Sequence, residues 1–469
     1  MRIRLLLLLA LTLAACDQTP RAIQVEKPDP EVQPGQEEDP GQGTQEGTGQ
    51  ETPTEEEVPP RPEPPVLEDL DPPADYTAVS LKSAVTNVQP MTGIVVWQDN
   101  SAHRKSWVTL EYSYVRYCDV CKKKGVYDWS PVEKLLSDAA SRGHQTVLRF
   151  YYTYVGKQCA VPDYIKAWPG YEETSGKSER KTTYFPDWRC EELQRFHLEF
   201  YRLFAQKYDQ DPRLAFLETG FGLWAEYHIY DGPFVLGKTF PSKAFQADFL
   251  TKMDGWFRNT PWLISIDAAE SKYSPFQGKP ALKNLYFGNF DDSFMAQDHD
   301  SDNASKWRFF GKERYKKAPL GGEFSYYKDD DQVHALDKEG MYGRVFEDEV
   351  AKYHMTFIIG NDQPGNQSDD RIREAAMSMG YRFRIADFRI KPGTGAYVRI
   401  TNTGVAPIYR DTFLALDGTR GADLNLRYLQ PGQTATVLIP LASATETSVL
   451  TIESDALLPG TTIPFDADL

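Results

Sequence analysis

Two glutamates and a third acid stand where short apolar runs end. Glu218 lies inside the run 214–220. Glu226 follows eight positions later in the string Trp224-Ala225-Glu226-Tyr227-His228. Glu323 comes after Gly321-Gly322, which leave room beside it. A pair of carboxyl groups facing one another is the minimum machinery for cleaving a glycosidic bond. One protonates the leaving oxygen and the other acts as nucleophile or base. Near them in the pattern stand Arg149, Asp267 and Asn289, polar partners suited to hydroxyls, and His228. Trp97, Tyr151, Trp224 and Tyr327 offer flat rings for sugar C–H faces. Each has a plainer reading. Glu226 with His228 would fix a loop as a hydrogen-bonded pair, Arg149 would anchor a salt bridge, partnered by Glu323, and the rings would fill a core.

Other chemistries find less support. Glu226-x-His228 lacks further convergent histidines, so no metal is expected, and no organic cofactor is implied. The run Asp329-Asp330-Asp331 is expected to be solvated loop. Cys118-x-x-Cys121 has the spacing of half a zinc site, but Cys159 and Cys190 are far apart in sequence, unlike a second close pair. In an oxidising compartment these four favour two disulfides, with Cys118–Cys121 and Cys159–Cys190 preferred among three pairings.

The elements that must position the acids alternate in type. Strands are expected at 94–97, 108–117, 146–152, 214–220, 262–267, 284–290, 319–326 and 355–360. Helices are expected at 128–142, 191–208, 244–257, 306–317, 345–353 and 371–379. The first opens on Ser130-Pro131, a cap and a first-turn proline, and its Val132, Leu135, Leu136 and Ala139 share a face. Eight strand–helix units in roughly 290 residues predict a closed (β/α)8 TIM barrel over 76–386. An open doubly wound sheet would want G-x-G-x-x-G after its first strand, and there is none. After 387 the helices stop, and alternating runs with Pro-Gly turns predict a small antiparallel β-sandwich over 387–469. In a TIM barrel, function sits at the C-terminal ends of the strands, where all of the named acids fall.

The N-terminus sets the compartment. Arg2 and Arg4 precede an apolar stretch, and Leu13-Ala14-Ala15-Cys16 has the form of a lipobox. Residues 1–16 are expected to be a signal peptide and Cys16 to carry the lipid of a cell-envelope lipoprotein, facing the periplasm or the exterior. Residues 17–75 hold 17 acidic and 3 basic residues, an acidic Pro/Glu/Gly-rich stretch expected to be a disordered tether. Most of the net charge of −16 therefore belongs to the tether. The remainder lacks the basic footprint of a nucleic-acid binder, and the protein is expected to act as a monomer on a carbohydrate.

The strand-four and strand-seven glutamates are similar to those of the retaining (β/α)8 glycoside hydrolases that include β-galactosidases and cellulases. That resemblance implies a strand-four acid/base, Glu226 or Glu218, and Glu323 as nucleophile. In those enzymes an Asn precedes the acid, whereas here Leu217 and Ala225 precede the two candidates. The chain more specifically resembles an uncharacterised family of secreted bacterial lipoproteins with a glycosidase-like barrel and a C-terminal β-sandwich. The resemblance rests on Trp224-Ala225-Glu226-Tyr227-His228, on Tyr127-Asp128-Trp129-Ser130, on Arg382-Phe383-Arg384-Ile385 and on Thr401-Asn402-Thr403-Gly404-Val405-Ala406-Pro407, and covers roughly residues 80–469. The expectation is a lipid-anchored glycoside hydrolase. A non-catalytic carbohydrate-binding or scaffolding lipoprotein is the alternative. A polysaccharide lyase using Tyr227 or His228 beside Arg149 is a weaker third.

Overall fold

A computed structural model describes residues 61–469. The expected signal peptide, the lipidated Cys16 and the first part of the tether lie outside the described residues.

Eight parallel strands close into a barrel in chain order. They are β1 (Gly93–Trp97), β2 (Leu110–Arg116), β3 (Gln145–Tyr151), β4 (Leu214–Thr219), β5 (Trp262–Ser265), β6 (Gly288–Phe294), β7 (Leu320–Phe324) and β8 (Phe357–Ile359). Strands covered on both faces read as near-continuous apolar runs, and Ile94-Val95-Val96 shows it, with all three side chains fully buried. Around the barrel lie α1 (Ser130–Ala140), α2 (Glu191–Tyr208), α3 (Lys243–Trp256), α4 (Ala304–Phe310), α5 (Phe346–Tyr353) and α6 (Asp369–Met377).

The helices form where pattern and caps agree. In α2, Leu193, Phe196, Phe200 and Phe204 recur every three or four residues and are fully buried. His197 shares that stripe. Burial drives its pKa down to about 3, so it packs as a neutral ring against the Tyr152 hydroxyl, 2.9 Å away. Ser242 and Ser368 cap α3 and α6 by accepting from Phe245 N–H and Arg371 N–H, both at 3.2 Å.

Several expectations are corrected. The β1–β2 connection holds only one 3-10 turn, Ser101–Arg104. β6 begins at Gly288 instead of 284, because Pro280–Asn284 forms a 3-10 turn. A β-hairpin (Thr174–Ser178 with Lys181–Phe185) intervenes between β3 and α2. The acidic run opens a short helix, Asp329–Val333, with Asp329 and Asp330 exposed as expected, but Asp331 is buried and accepts from Ser325 Oγ and Tyr342 OH, both at 2.6 Å. Cys118, Cys121, Cys159 and Cys190 are free thiols, so neither expected disulfide is formed. The Cys121 thiol turns to the carbonyl of Lys123, in its own hairpin.

Two antiparallel sheets follow the barrel. β9 (Phe383–Lys391), β10 (Gly395–Asn402) and β12 (Thr434–Pro440) form one, together with Thr77–Ala78 on the outer edge of β9. β11 (Phe413–Leu416), Thr419–Arg420 and β13 (Leu450–Glu453) form the other. The start of the expected barrel segment thus pairs with the C-terminal sheet. The end of the expected tether is docked too: Arg61 binds Asp254 and the Arg258 and Phe257 carbonyls, and Asp69 pairs with Arg399. The sandwich core is continuous with the apolar side chains inside the barrel, among them Tyr112, Val147, Phe216, Leu263, Phe290 and Phe357. The Phe216 and Phe357 rings stack across the lumen at 5.1 Å. The interior below the mouth is therefore a packed core, and chemistry is confined to the other end. Among the described residues no helix is long and apolar enough to cross a membrane.

The turn into β5 depends on one side chain. Asp209 accepts from the backbone N–H groups of Arg258, Asn259 and Thr260 at 2.9–3.1 Å. Asp209→Ala removes the acceptor of the buried Thr260 N–H and of the half-buried Arg258 and Asn259 N–H groups, and about 1–3 kcal/mol of stability should go, the cost of one buried unsatisfied group. Urea unfolding measures this; a loss below about 1 kcal/mol would contradict the assignment.

Candidate active site

Strand register brings the polar residues of the mouth together. Glu218 of β4 pairs with Arg149 of β3, so both point into the barrel. Arg149 is fully buried. Its Nε donates to Glu218 Oε2 at 2.8 Å, and its Nη2 donates to the same oxygen. Its Nη1 donates to Asp292 Oδ2 at 2.8 Å, to Tyr114 OH at 3.0 Å and to the Trp224 carbonyl at 3.3 Å. The guanidinium also lies over the Phe290 ring, 4.1 Å from its centre. Tyr112 OH adds a hydrogen bond to Glu218 Oε2 at 3.0 Å. Every donor position of Arg149 that faces the mouth is spent. Of the two readings open from the sequence, the anchor describes it, with Glu218 and Asp292 as partners instead of Glu323. Glu218 goes with it. Fully buried beneath the mouth, it is the counterion of Arg149 and is out of reach as an acid/base.

Glu226 reaches the mouth from the loop after β4. That loop folds back on itself: Phe221 and Gly222 N–H both bond the Glu226 carbonyl, and Leu223 N–H bonds that of His228. Gly222 admits no side chain, since a Cβ there would stand 1.8 Å from the His228 carbonyl oxygen. Trp224 and Ala225 take left-handed conformations at φ +50° and +58°. Two consecutive non-glycine residues there store strain, which concentrates at functional sites.

A relay stands behind Glu226. His228 Nε2 lies 2.9 Å from Glu226 Oε2, and its Nδ1 lies 3.3 Å from Asp267 Oδ1. Lys306 from α4 reaches the same Asp267 oxygen at 2.6 Å. Ser265 Oγ donates to Asp267 Oδ2 at 2.5 Å. Burial alone would lower the pKa of His228, but the carboxylates of Asp267 and Glu226 outweigh it and push it up to about 10. Asp267 is held far below the usual carboxylate range: burial opposes this, but His228 and then Lys306 prevail. Asp267 therefore holds His228 in place, and it is not the hydroxyl ligand expected from the sequence. Glu226, His228 and Asp267 have ligand atoms within 4.8 Å of one another, a grouping of metal-binding type. His228 and the Lys306 ammonium are the cationic groups that face Asp267.

Glu323 lies on β7 opposite Ile359, partly exposed at the mouth. The room expected beside it is occupied: Cβ atoms on Gly321 and Gly322 would strike the Phe357 ring at 2.3 Å and the Asp291 carbonyl at 2.1 Å. The glycines let β6 and β8 close in. Burial, then the charge of Asp292, raises the Glu323 pKa well above the usual carboxylate range, against the pull of Arg149. Glu226 and Glu218 add to the rise, so all four acids sit within range of one another.

Asp292 escaped the sequence reading. The late start of β6 puts Asp291 and Asp292 inside the strand, where alternate side chains face opposite ways. Asp291 turns outward to Asn303 Nδ2 at 3.0 Å and Trp307 Nε1 at 3.2 Å. Asp292 turns inward. Its pKa rises to about 8, chiefly by burial and then through Glu226 and Glu218, with Arg149 opposing. Alternation in Asn289-Phe290-Asp291-Asp292 was the signal available. The same shift corrects Asn289, which is fully buried low in β6 and donates to the Ile264 carbonyl at 3.2 Å, away from any substrate.

Aromatic residues line the side opposite β6 and β7. Ring centres run from Trp97 to Tyr114 (5.3 Å), Tyr114 to Tyr151 (5.6 Å), Tyr151 to Tyr154 (5.4 Å), Tyr154 to Trp224 (6.2 Å) and Trp224 to Tyr230 (6.0 Å). Trp97, Tyr151 and Trp224 were expected here. Tyr114, Tyr154 and Tyr230 were not, since nothing in the local sequence separates them from core residues. Tyr327 is 47% exposed on the far rim.

No family model and no curated protein matches this chain. Among solved structures it is similar to endo-glycoceramidase II from Rhodococcus sp. in a cellobiose-like isofagomine complex, at 10% identity and TM-score 0.38, over 83% of this chain and 99% of that one. It is also similar to a family 39 glycoside hydrolase from Bacteroides cellulosilyticus WH2, at 10% identity and TM-score 0.38, over 78% and 81%. A third is an alpha-amylase from Geobacillus thermoleovorans complexed with acarbose, at 10% identity and TM-score 0.34, over 77% and 97%. Overlaps this low identify nothing further in this chain; its barrel stands on its own strand order.

The relay makes a pH prediction. A histidine raised from about 6.5 to about 10 stabilises the fold fully below pH 6.5, and that contribution fades as pH climbs through 10. Wild type should therefore lose more stability between pH 7 and 10 than His228→Gln, the difference being on the order of a few kcal/mol. Denaturant midpoints across that range measure it. Parallel curves would show that His228 is not held as a cation.

Proposed function

We propose that the barrel mouth hydrolyses glycosidic bonds, with Glu226 and Glu323 as its two catalytic carboxyl groups. One observation carries this reading: four acids meet at the mouth beside a single arginine, so the cluster keeps a proton on one carboxyl while another stays ionised. Glycoside hydrolysis requires that split. The aromatic arc across from the acids supplies the flat surface that a sugar ring would stack on.

Burial and the charge of Asp292 favour the protonated form of Glu323. Glu226 faces it with His228 at its back. This reverses the roles expected from the sequence. Glu323 then donates its proton to the leaving oxygen as the C–O bond breaks, and the Glu226 carboxylate attacks the anomeric carbon. Water next attacks the same carbon, gives its proton to Glu323 and frees Glu226. Asp292 and Arg149 set the charge of the site from below. The retaining outcome, the lipid anchor at Cys16 and the placement in the cell envelope belong to the same proposal and rest on the sequence.

Leaving-group dependence tests the roles. On aryl glycosides with activated leaving groups, Glu323→Gln should retain activity. On unactivated glycosides it should fall by about 10²–10⁴-fold, the usual worth of a general acid. Glu226→Gln should lose both. If instead the activated substrates rescue Glu226→Gln alone, the roles follow the sequence order. Glycan retention with no hydrolysis of any substrate would point to the carbohydrate-binding lipoprotein.

A further inference from the structure

The mouth has an unusual charge inventory. Its carboxyl groups are Glu218, Glu226, Asp292 and Glu323, with Asp267 and Glu270 behind them. The cations reaching this floor are Arg149, His228 and Lys306, and all three are engaged. Arg149 is shared by Glu218 and Asp292. His228 is flanked by Glu226 and Asp267. Lys306 lies 2.6 Å from Asp267 and 3.1 Å from Glu270. At the rim, Arg116 is tied to Asp119 at 2.8 Å. A uronate or sulfate sugar reaching this floor would meet carboxyl groups and cations that are already engaged; farther out, Lys157 lies 5.8 Å over the Tyr154 ring of the aromatic arc.

Two acceptor atoms are left over. Asp292 Oδ1 and Glu218 Oε1 are buried and have no hydrogen-bond partner within the protein. Leaving a buried carboxylate oxygen unpaired is costly. Asp291 pairs with Gly322 across the β6–β7 ladder, which is irregular just beyond that pair; Asp292 follows it, turned inward to Arg149, and its charge acts on Glu323 of β7. Asp292 therefore flanks the reacting centre, and its side chain is 10% exposed there. What fits is a donor close to the scissile bond, and four carboxyl groups that share one arginine favour a cationic donor over a hydroxyl.

We propose that the preferred substrate is a glycan whose sugar units carry a free amino group, with the ammonium received by Asp292 beside Glu323. This rests on the glycosidase reading of the mouth and deepens it. The ammonium supplies the cation that the four carboxyls lack, and it places Asp292 as the specificity-determining residue. N-acetylation removes the charge and adds bulk at the same atom, and a neutral hydroxyl leaves the charge surplus uncorrected. Anionic glycans are repelled. For the same reason the site cannot neutralise a uronate, which a lyase must do.

The test compares glucosamine and galactosamine oligomers with the same preparations after complete N-acetylation, with cello- and galacto-oligomers, and with oligogalacturonate. Cleavage is followed by chromatography, and binding by calorimetry on wild type and Asp292→Asn. The free-amine oligomers should be favoured over their acetylated and neutral counterparts by about tenfold or more, as for a buried charge pair against a neutral replacement. Oligogalacturonate should be neither bound nor cut. In Asp292→Asn the ratio of amine to neutral glycan should collapse toward one. Equal or better use of acetylated or neutral glycans by wild type would overturn this inference and leave the glycosidase reading standing. An unchanged ratio in a folded Asp292→Asn would remove Asp292 from the role. If that variant does not fold, the wild-type ratio alone decides. Failure to bind or cut any series would sink the glycosidase reading and this inference with it.

Discussion

A guanidinium removed from water holds the mouth of this barrel together. Arg149 projects from β3 and meets Glu218 of β4 and Asp292 of β6, with the ring of Phe290 beneath it. Ion pairs at such depth contribute little net stability, because desolvation offsets attraction, yet losing one partner is severe. The arrangement therefore works as a constraint. It fixes the inward register of three strands and sets the electrostatic level at which the other acids must protonate. Burial pushes Glu323 and Asp292 up, and Arg149, divided between Glu218 and Asp292, offsets only part of the rise.

The second constraint is the loop after β4. Gly222 allows backbone to approach backbone, Trp224 and Ala225 absorb left-handed strain, and the Trp224 carbonyl is held by Arg149 and Tyr114. The loop is thus tied to the buried cation at one end and to the His228–Asp267–Lys306 relay at the other. Glu226 is suspended between them. The floor is rigid, built from strand ends and a braced loop, as a catalytic constellation needs.

Much of the fold was legible before any coordinates. Apolar runs of four to seven residues alternating with 3.6-periodic stretches announced the parallel barrel, and Pro-Gly turns between alternating runs announced the antiparallel sheets that follow it. All eight expected strands exist. The errors came where local chemistry was outvoted. Residues 61–75 read as tether by composition, but Arg61 and Asp69 find buried or paired partners hundreds of residues away. Strand six was begun too early because Leu285 and Phe287 are as apolar as strand residues, while Pro280 starts a turn. The cysteines suggested bridges by count alone, and geometry ignored the count.

The sequence by itself determined which residues were available: the glutamates at 226 and 323, the aromatic supply, the arginine on strand three. It determined their strands as well, since period and punctuation are local properties. Only the tertiary structure decided which acid faces which. The inward or outward sense of Asp291 and Asp292 follows from β6 running on through both of them, where alternation turns Asp291 to Asn303 and Trp307 and Asp292 to Arg149. Whether Arg149 is free or spent depends on β3, β4 and β6 closing round it, and protonation in turn depends on that closure. Charge interactions act through space, across distances along the chain that no local pattern spans.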